Sequence, residues 1–360
     1  MEAHEIFAGI PDPRIDRQKL HSLEDILTLT LLATICGVKS WENIALFGKT
    51  KRADMSGVIR FQNGVPSHDT IERVFSLIPA KEFSSCFINW TKALSEVKGD
   101  LIAIDGKTAR RTHRRSDKTD ARHIVSAWAS QNSLVLGQCS TLGKGHELEG
   151  IKELLSMLDI SGSVISIDAI GCQKDIARQI TGHQADYILA VKGNQRELHK
   201  QVEESFLLQK PADTHQQIDK GHGRIETRDC SVIYQMKWID DPGQWADLKS
   251  IIRIESTREI AGATQQHVRY YISSLKENAE VFNGLIRGHW SIENSLHWTL
   301  DMVFREDECR KRKGYSAENF TLVTKMALNL LRRNKQKITT PGKQHLAGWN
   351  SQYLLSLLKN

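Results

Sequence analysis

An α/β fold preceded by a helical N-terminal region is predicted for this chain, and three observations predict it. Hydrophobic residues recur at helical spacing over residues 1–99, short aliphatic runs alternate with helical stretches from residue 100 onward, and a further group of strand-like segments breaks that order after residue 206. With 360 residues, 40% of them hydrophobic, the chain is long enough to bury a real core in two or three units of roughly 100–200 residues each.

Leu20, Leu23, Ile26, Leu27, Leu31 and Ile35 follow at steps of three and four, as one buried helix face requires. Trp41 to Phe47 makes a second segment. Pro66-Ser67-His68-Asp69 opens a third, with Ser67 as N-cap and Asp69 in a positively polarised first turn. Helices this closely spaced suit either a DNA-reading pair or a small bundle capping the next unit. From residue 100 the period changes. Leu101 to Ile104, Arg122 to Ala129 and Leu134 to Cys139 read as a three-strand meander, followed by a helix at Glu147 to Leu158, a strand at Val164 to Ile167, a helix at Gln173 to Thr181, a strand at Tyr187 to Val191 and a helix from near Gln195. This is the element order of a ribonuclease-H-like core over residues 100–206, an order shared with other α/β sheets. Residues 207–276 then read as a β-rich insertion, with strands at Cys230 to Gln235, Ser250 to Ser256 and Gln266 to Ser274. Helical spacing returns over 277–337, and 338–360 is expected to be a polar connection with one weak helix at Tyr353 to Leu358.

Composition bounds the partners. Lys+Arg number 49 against 43 Asp+Glu, a formal +6 that permits a polyanion without demanding one. The six cysteines (Cys36, Cys86, Cys139, Cys172, Cys230, Cys309) form no CxxC pair, so reduced thiols and a cytoplasmic, nucleoid-associated location are expected. The longest apolar run, Ile26 to Val38, carries Thr28, Thr30 and Thr34, is too short for a ~30 Å hydrocarbon core and follows acidic residues, so no membrane span or secretory signal is expected.

Two strands end alike. Ile104-Asp105-Gly106 and Ile167-Asp168-Ala169 each deliver an aspartate followed by a small residue. Either alone suits a strand-end cap or turn. If the strands lie adjacent and parallel, both carboxylates leave one sheet edge and repel unless a cation sits between them. His289, Glu293, His297 and Asp301 follow at steps of four, a polar stripe that faces either solvent or that edge, while Trp290, Ile292, Leu296 and Leu300 are free to pack. A zinc site on His289 and His297 is disfavoured, because the i,i+4 histidine pair of zinc proteases is missing.

Charge is clustered around these acids. Residues 107–122 hold seven Lys/Arg, among them Lys107, Arg110, Arg111, Arg114 and Arg115, against Asp117 and Asp120; residues 305–337 hold ten against four acids, with Arg310-Lys311-Arg312-Lys313 as a focus. Flanking the acids, they favour phosphate over an ordinary solvated face. Lys192-Gly193-Asn194-Gln195 follows a strand and opens a helix, so Lys192 and Asn194 join the candidates for DNA contact or carboxylate positioning. Arg224 and Arg228, within His222-Gly223-Arg224-Ile225-Glu226-Thr227-Arg228, suit phosphate contact or loop ordering. Trp238 and Trp245 suit either base stacking or a core.

These stretches, together with Pro66-Ser67-His68-Asp69-Thr70 and His289-Trp290-Ser291-Ile292-Glu293-Asn294, resemble the DDE-type transposases of bacterial insertion sequences, and within them the H-repeat-associated proteins, over nearly the whole chain. The resemblance implies a ribonuclease-H-like core with an insertion before the third acid, and Asp105, Asp168 and Glu293 as catalytic residues holding Mg²⁺, or Mn²⁺ in its place. It further implies double-stranded DNA as partner and a homodimer acting on paired element ends. Better-studied relatives place a tyrosine, an arginine and a lysine around the glutamate where this chain has Ile286, His289 and Leu300; Arg287, His289 and His297 are the residues left to handle phosphate on that helix. The expected activity is metal-dependent DNA cleavage and strand transfer. Two other readings share these residues: a nuclease that only hydrolyses DNA, and a catalytically silent, domesticated DNA-binding protein.

Overall fold

A computed structural model describes residues 6–94, 98–112, 121–221, 223–260 and 263–359. Arg114, Arg115 and His222 lie outside the described residues. The N-terminal region is helical: α1 (Leu23–Ile35), α2 (Trp41–Lys51), α3 (His68–Leu77) and α4 (Ala80–Leu94). Ser22, Ser40 and Ser67 cap the first three by accepting the backbone N–H of Asp25, Asn43 and Thr70. The threonines of the apolar run are buried in α1, where Thr30 and Thr34 donate their hydroxyls to the carbonyls of Ile26 and Thr30 and so hide their polarity inside the helix.

The strands are β1 (Leu101–Thr108), β2 (Arg122–Ala129), β3 (Leu134–Leu142), β4 (Val164–Ile167) and β5 (Asp186–Val191), with α5 (Glu147–Met157) before β4, α6 (Lys174–Gly182) before β5, and α7 (Arg196–Leu208) after it. They run in the order β3-β2-β1-β4-β5, the first three antiparallel and β4 and β5 parallel to β1, which is the ribonuclease-H-like arrangement. The insertion contributes β6 (Asp213–Gly221), β7 (Arg224–Ile233), β8 (Ser250–Ile260) and β9 (Ala263–Ser273). Because β9 pairs antiparallel with β5, it extends the core sheet, to nine strands among the described residues. Strand β6, absent from the sequence reading, is polar on both faces and sits at the sheet edge, so no hydrophobic period announces it.

After β9 come α8 (Ala279–His289), a π-helical turn (Ile292–His297), α9 (Trp298–Met302) and α10 (Ser316–Arg333). One apolar core joins α1, α3 and α4 to α10, to Ala103, Trp128 and Val135 of the sheet, and to Ile292, Leu296 and Leu300 beyond α8. The opposite sheet face packs on α5, α6 and α7. The chain ends in α11 (Thr340–Trp349) and α12 (Ser351–Ser356), so the expected polar connection is corrected to a helix. Pro341 does not break this helix. It stands in the first turn behind the Thr339 cap, where its missing N–H is harmless. Among the described residues no helix is long and apolar enough to cross a membrane.

Candidate active site

The register of β1 on β4 decides where the two aspartates lie. Ile104 is the Cα partner of Ile167, so Asp105, still within β1, and Asp168, the residue after β4, come side by side where β4 ends. Asp168 caps a short 3₁₀ turn (Ala169–Gly171), its Oδ1 accepting the N–H of Ile170 at 3.0 Å. The Lys192-Gly193-Asn194-Gln195 stretch pins that turn from the end of β5: Asn194 donates to the carbonyl of Ala169 at 2.5 Å and Gln195 to that of Cys172 at 2.9 Å. Asn194 is thus engaged with the protein backbone beside Asp168.

Glu293 arrives on the π-helical turn. Ser291, two residues earlier, anchors the approach to that turn, its Oγ accepting from Trp128 Nε1 at 3.0 Å and meeting Ser130 Oγ at 2.9 Å. Ile292 and Leu296 are buried, which turns Glu293 and His297 away from the core. The wider turn interrupts the simple four-residue stripe, and such π turns recur at functional sites. Asp105, Asp168 and Glu293 line one cavity of about 400 Å³ together with Lys192 and His289.

The carboxylates feel one another. Burial raises the pKa of Asp168 above the ordinary range, and Asp105 and Glu147 add to it by repulsion; burial and then Asp105 raise Glu293 likewise. Burial would lift Asp105 too, but His297, whose Nε2 lies 3.3 Å from Oδ2, and His289 outweigh it and hold Asp105 below its usual value. The His297 contact is electrostatic rather than an aligned hydrogen bond. His289 packs inward, Nδ1 2.9 Å from Ser166 Oγ on β4, and burial lowers its pKa. The donor set therefore fits a hard divalent ion: three oxygen-bearing acids, mutually repelling in one cavity. Among the described residues no three His, Cys, Asp or Glu side chains close around a single point, and the Asp105 carboxylate faces His297.

Several residues assigned to phosphate by sequence are engaged within the protein. Lys107 is held by Asp301, Glu306 and Asp307. The Lys311 ammonium is folded inward, 4.4 and 3.7 Å from the Trp41 and Phe320 ring centroids and bonded to the Lys39 carbonyl, which corrects its place in a surface track. Arg110 meets Asp307 at 3.7 Å, Arg312 donates to the Arg111 carbonyl at 2.8 Å, Lys313 lies 3.9 Å from Glu72, and Arg310 is exposed. Arg287 pairs with Asp219, and Arg224 and Arg228 with Glu226. Trp245 is buried in the core, whereas Trp238 is exposed.

Sequence reasoning missed the pair behind Asp105. His123 Nε2 lies 3.1 Å from Glu147 Oε2, both buried, and a Cβ on Gly106 would stand 2.3 Å from His123 Nε2 and 2.4 Å from Glu147 Oε1. Only glycine fits between this pair and the strand. Gly106→Ala is expected to destabilise the chain by about 1–3 kcal/mol through overpacking and to displace Asp105, read as a lowered urea midpoint and lost cleavage.

The sheet order and the acids at its edge put the chain in the ribonuclease-H-like class. The chain belongs to the DDE transposases: the family model described as "Transposase DDE domain" matches residues 97–330, and that described as "DDE_Tnp_1-associated" matches residues 4–91. Among its relatives are the "H repeat-associated putative transposase YhhI" of Escherichia coli (strain K12), 42% identical over 97% of this chain and 95% of the relative, and the "Putative transposase YncI" of Escherichia coli O157:H7, 41% identical over 90% and 85%. A piggyBac transposase in a synaptic complex with hairpin DNA aligns with 99% of this chain and 76% of its own at 12% identity, with a TM-score of 0.39, too slight to bear on the site.

Proposed function

We propose that this transposase cuts DNA at the ends of its insertion sequence and joins the freed 3′-hydroxyl to target DNA, with Asp105, Asp168 and Glu293 holding Mg²⁺, or Mn²⁺ in its place. The supporting observation is the β1–β4 register, which sets two aspartates side by side under a helix-borne glutamate in one cavity. Ions bound there would polarise the phosphate and make the attacking water or 3′-hydroxyl more acidic.

The protein's own part is positional. The Ile170 N–H fixes Asp168 and the π turn fixes Glu293, while His297 holds the Asp105 carboxylate that would take part in holding the ion. His289, bonded to Ser166, ties the glutamate's helix to β4. A homodimer on paired ends supplies the two sites that two ends require.

The test is to incubate the purified protein with Mg²⁺ or Mn²⁺ and DNA carrying the ends of its own element, and to sequence the products. Strand-transfer joints are expected. Hydrolysed ends alone would identify a nuclease; salt-sensitive binding without any product would identify a silent DNA-binding protein.

A further inference from the structure

The stretch from Gly223 to Arg228 is a motif that the proposed reaction leaves without a role. Alternation along β7 puts Arg224, Glu226 and Arg228 on one face of the sheet, and pairing with β8 sets Arg258 directly opposite Glu226 on that face. The Glu226 carboxylate accepts from Arg228 Nε and Nη2 at 3.1 and 2.9 Å, with Arg258 at 3.7 Å and Arg224 at 4.0 Å. Its side chain is only 13% exposed. Burial alone would raise its pKa, yet the three arginines outweigh burial and hold it below the usual carboxylate range, so the charge persists. Arg228 Nη1 is buried without a hydrogen-bond partner.

This face forms one wall of a cavity of about 790 Å³, whose other wall is α8 and the π turn beyond it. The cavity ends at Glu293 and shares His267, Arg269 and Trp290 with the pocket of the acids, Arg269 lying 4.9 Å from the Trp290 ring centroid. Three guanidiniums around one carboxylate leave two charges uncompensated, on side chains already aligned, and a guanidinium's planar donors match phosphate oxygens.

We infer that Glu226 organises Arg224, Arg228 and Arg258 into a phosphate subsite for the DNA backbone, along a cleft that leads to Glu293. Glu226 is a positioning residue here. The inference rests on the reading that this chain acts on DNA, and it names where the strand lies.

The experiment is fluorescence anisotropy of a labelled mixed-sequence duplex of about 30 base pairs, in EDTA, across roughly 50–300 mM KCl. Arg258→Ala is expected to weaken binding at every salt concentration and to reduce the slope of log K against log salt by about 1. Glu226→Gln separates two accounts by sign. Removing a negative charge strengthens binding if only net charge matters, whereas loss of alignment weakens it, here by about fivefold or more. Binding by Glu226→Gln equal to or tighter than that of the parent chain, or an unchanged slope in Arg258→Ala, overturns the inference. If circular dichroism shows Glu226→Gln unfolded, Arg258→Ala and Arg224→Ala decide, since those side chains are 41% and 44% exposed. Without metal there is no turnover, so a chain that binds this way but never cuts would sink the cutting reading and leave this one standing.

Discussion

Asp105→Asn is expected to lower cleavage of an element end by on the order of 10³-fold or more, about 4 kcal/mol of barrier, while binding of the same DNA in EDTA persists. Asparagine keeps the size of the side chain and its place on β1, but it removes the charge that both other acids feel. Burial and repulsion from Asp105 are what raise Asp168 and Glu293. Without ions, removing that charge spares Asp168 and Glu293 its repulsion but also ends the attraction to His297 and His289 that holds Asp105 below its usual value, so the variant is expected to melt no higher than the parent chain. With Mg²⁺ or Mn²⁺ the difference widens, because a ligand that binds only the folded state raises its melting temperature by mass action. The parent should gain stability with added metal, and Asp105→Asn should gain little. Cleavage retained in the variant, or equal metal-induced shifts in both chains, would remove Asp105 from the site.

The legible part of the fold is the part whose chemistry repeats along the chain. β2 and β4 are buried along nearly their whole length, and the sequence bounds of both match the structure. The two aspartates were visible because an acid after a short, mostly aliphatic run breaks the pattern, and parallel pairing then brings them together. What stayed hidden depends on partners far along the chain. Lys107 reads as a phosphate contact until Asp301, Glu306 and Asp307 fold onto it from about two hundred residues away. The fourfold stripe from His289 to Asp301 assumed a regular α-helix, and a π turn is not readable from spacing. Gly106 looked like half of an ordinary Asp-Gly turn, although it lies within β1 and is required by the buried His123–Glu147 pair. Local order is written locally; the identity of the neighbour is not.

Lys325 provides the second large effect, in stability. It lies on α10 against the sheet, fully enclosed, its ammonium donating to Ser126 Oγ and Gln138 Oε1 at 2.7 Å each. Both acceptors are neutral, and burial lowers its pKa to about 8 from 10.5. Below pH 8 the lysine is charged in both states and the folded state bears the penalty. Between about 8 and 10.5 the unfolded chain binds the proton that the folded chain has released, so this group makes stability rise with pH, by on the order of 3 kcal/mol across the window. The buried thiols of Cys36, Cys139, Cys172 and Cys230, pushed up to about 12 by burial, act in the opposite sense from about pH 9 upward. The lysine is therefore isolated by comparison with Lys325→Met, in which the thiol contribution is unchanged. Urea unfolding of both chains at pH 7 and near pH 10 should show the parent gaining relative to the variant; parallel behaviour would mean the ammonium is not desolvated. The consequence reaches the acids, because Ser126 is the cross-strand partner of Asp105. The ammonium ties α10 to the strand position that backs the first aspartate, so Lys325→Met should also blunt the metal-induced rise in melting temperature even though every carboxylate is retained.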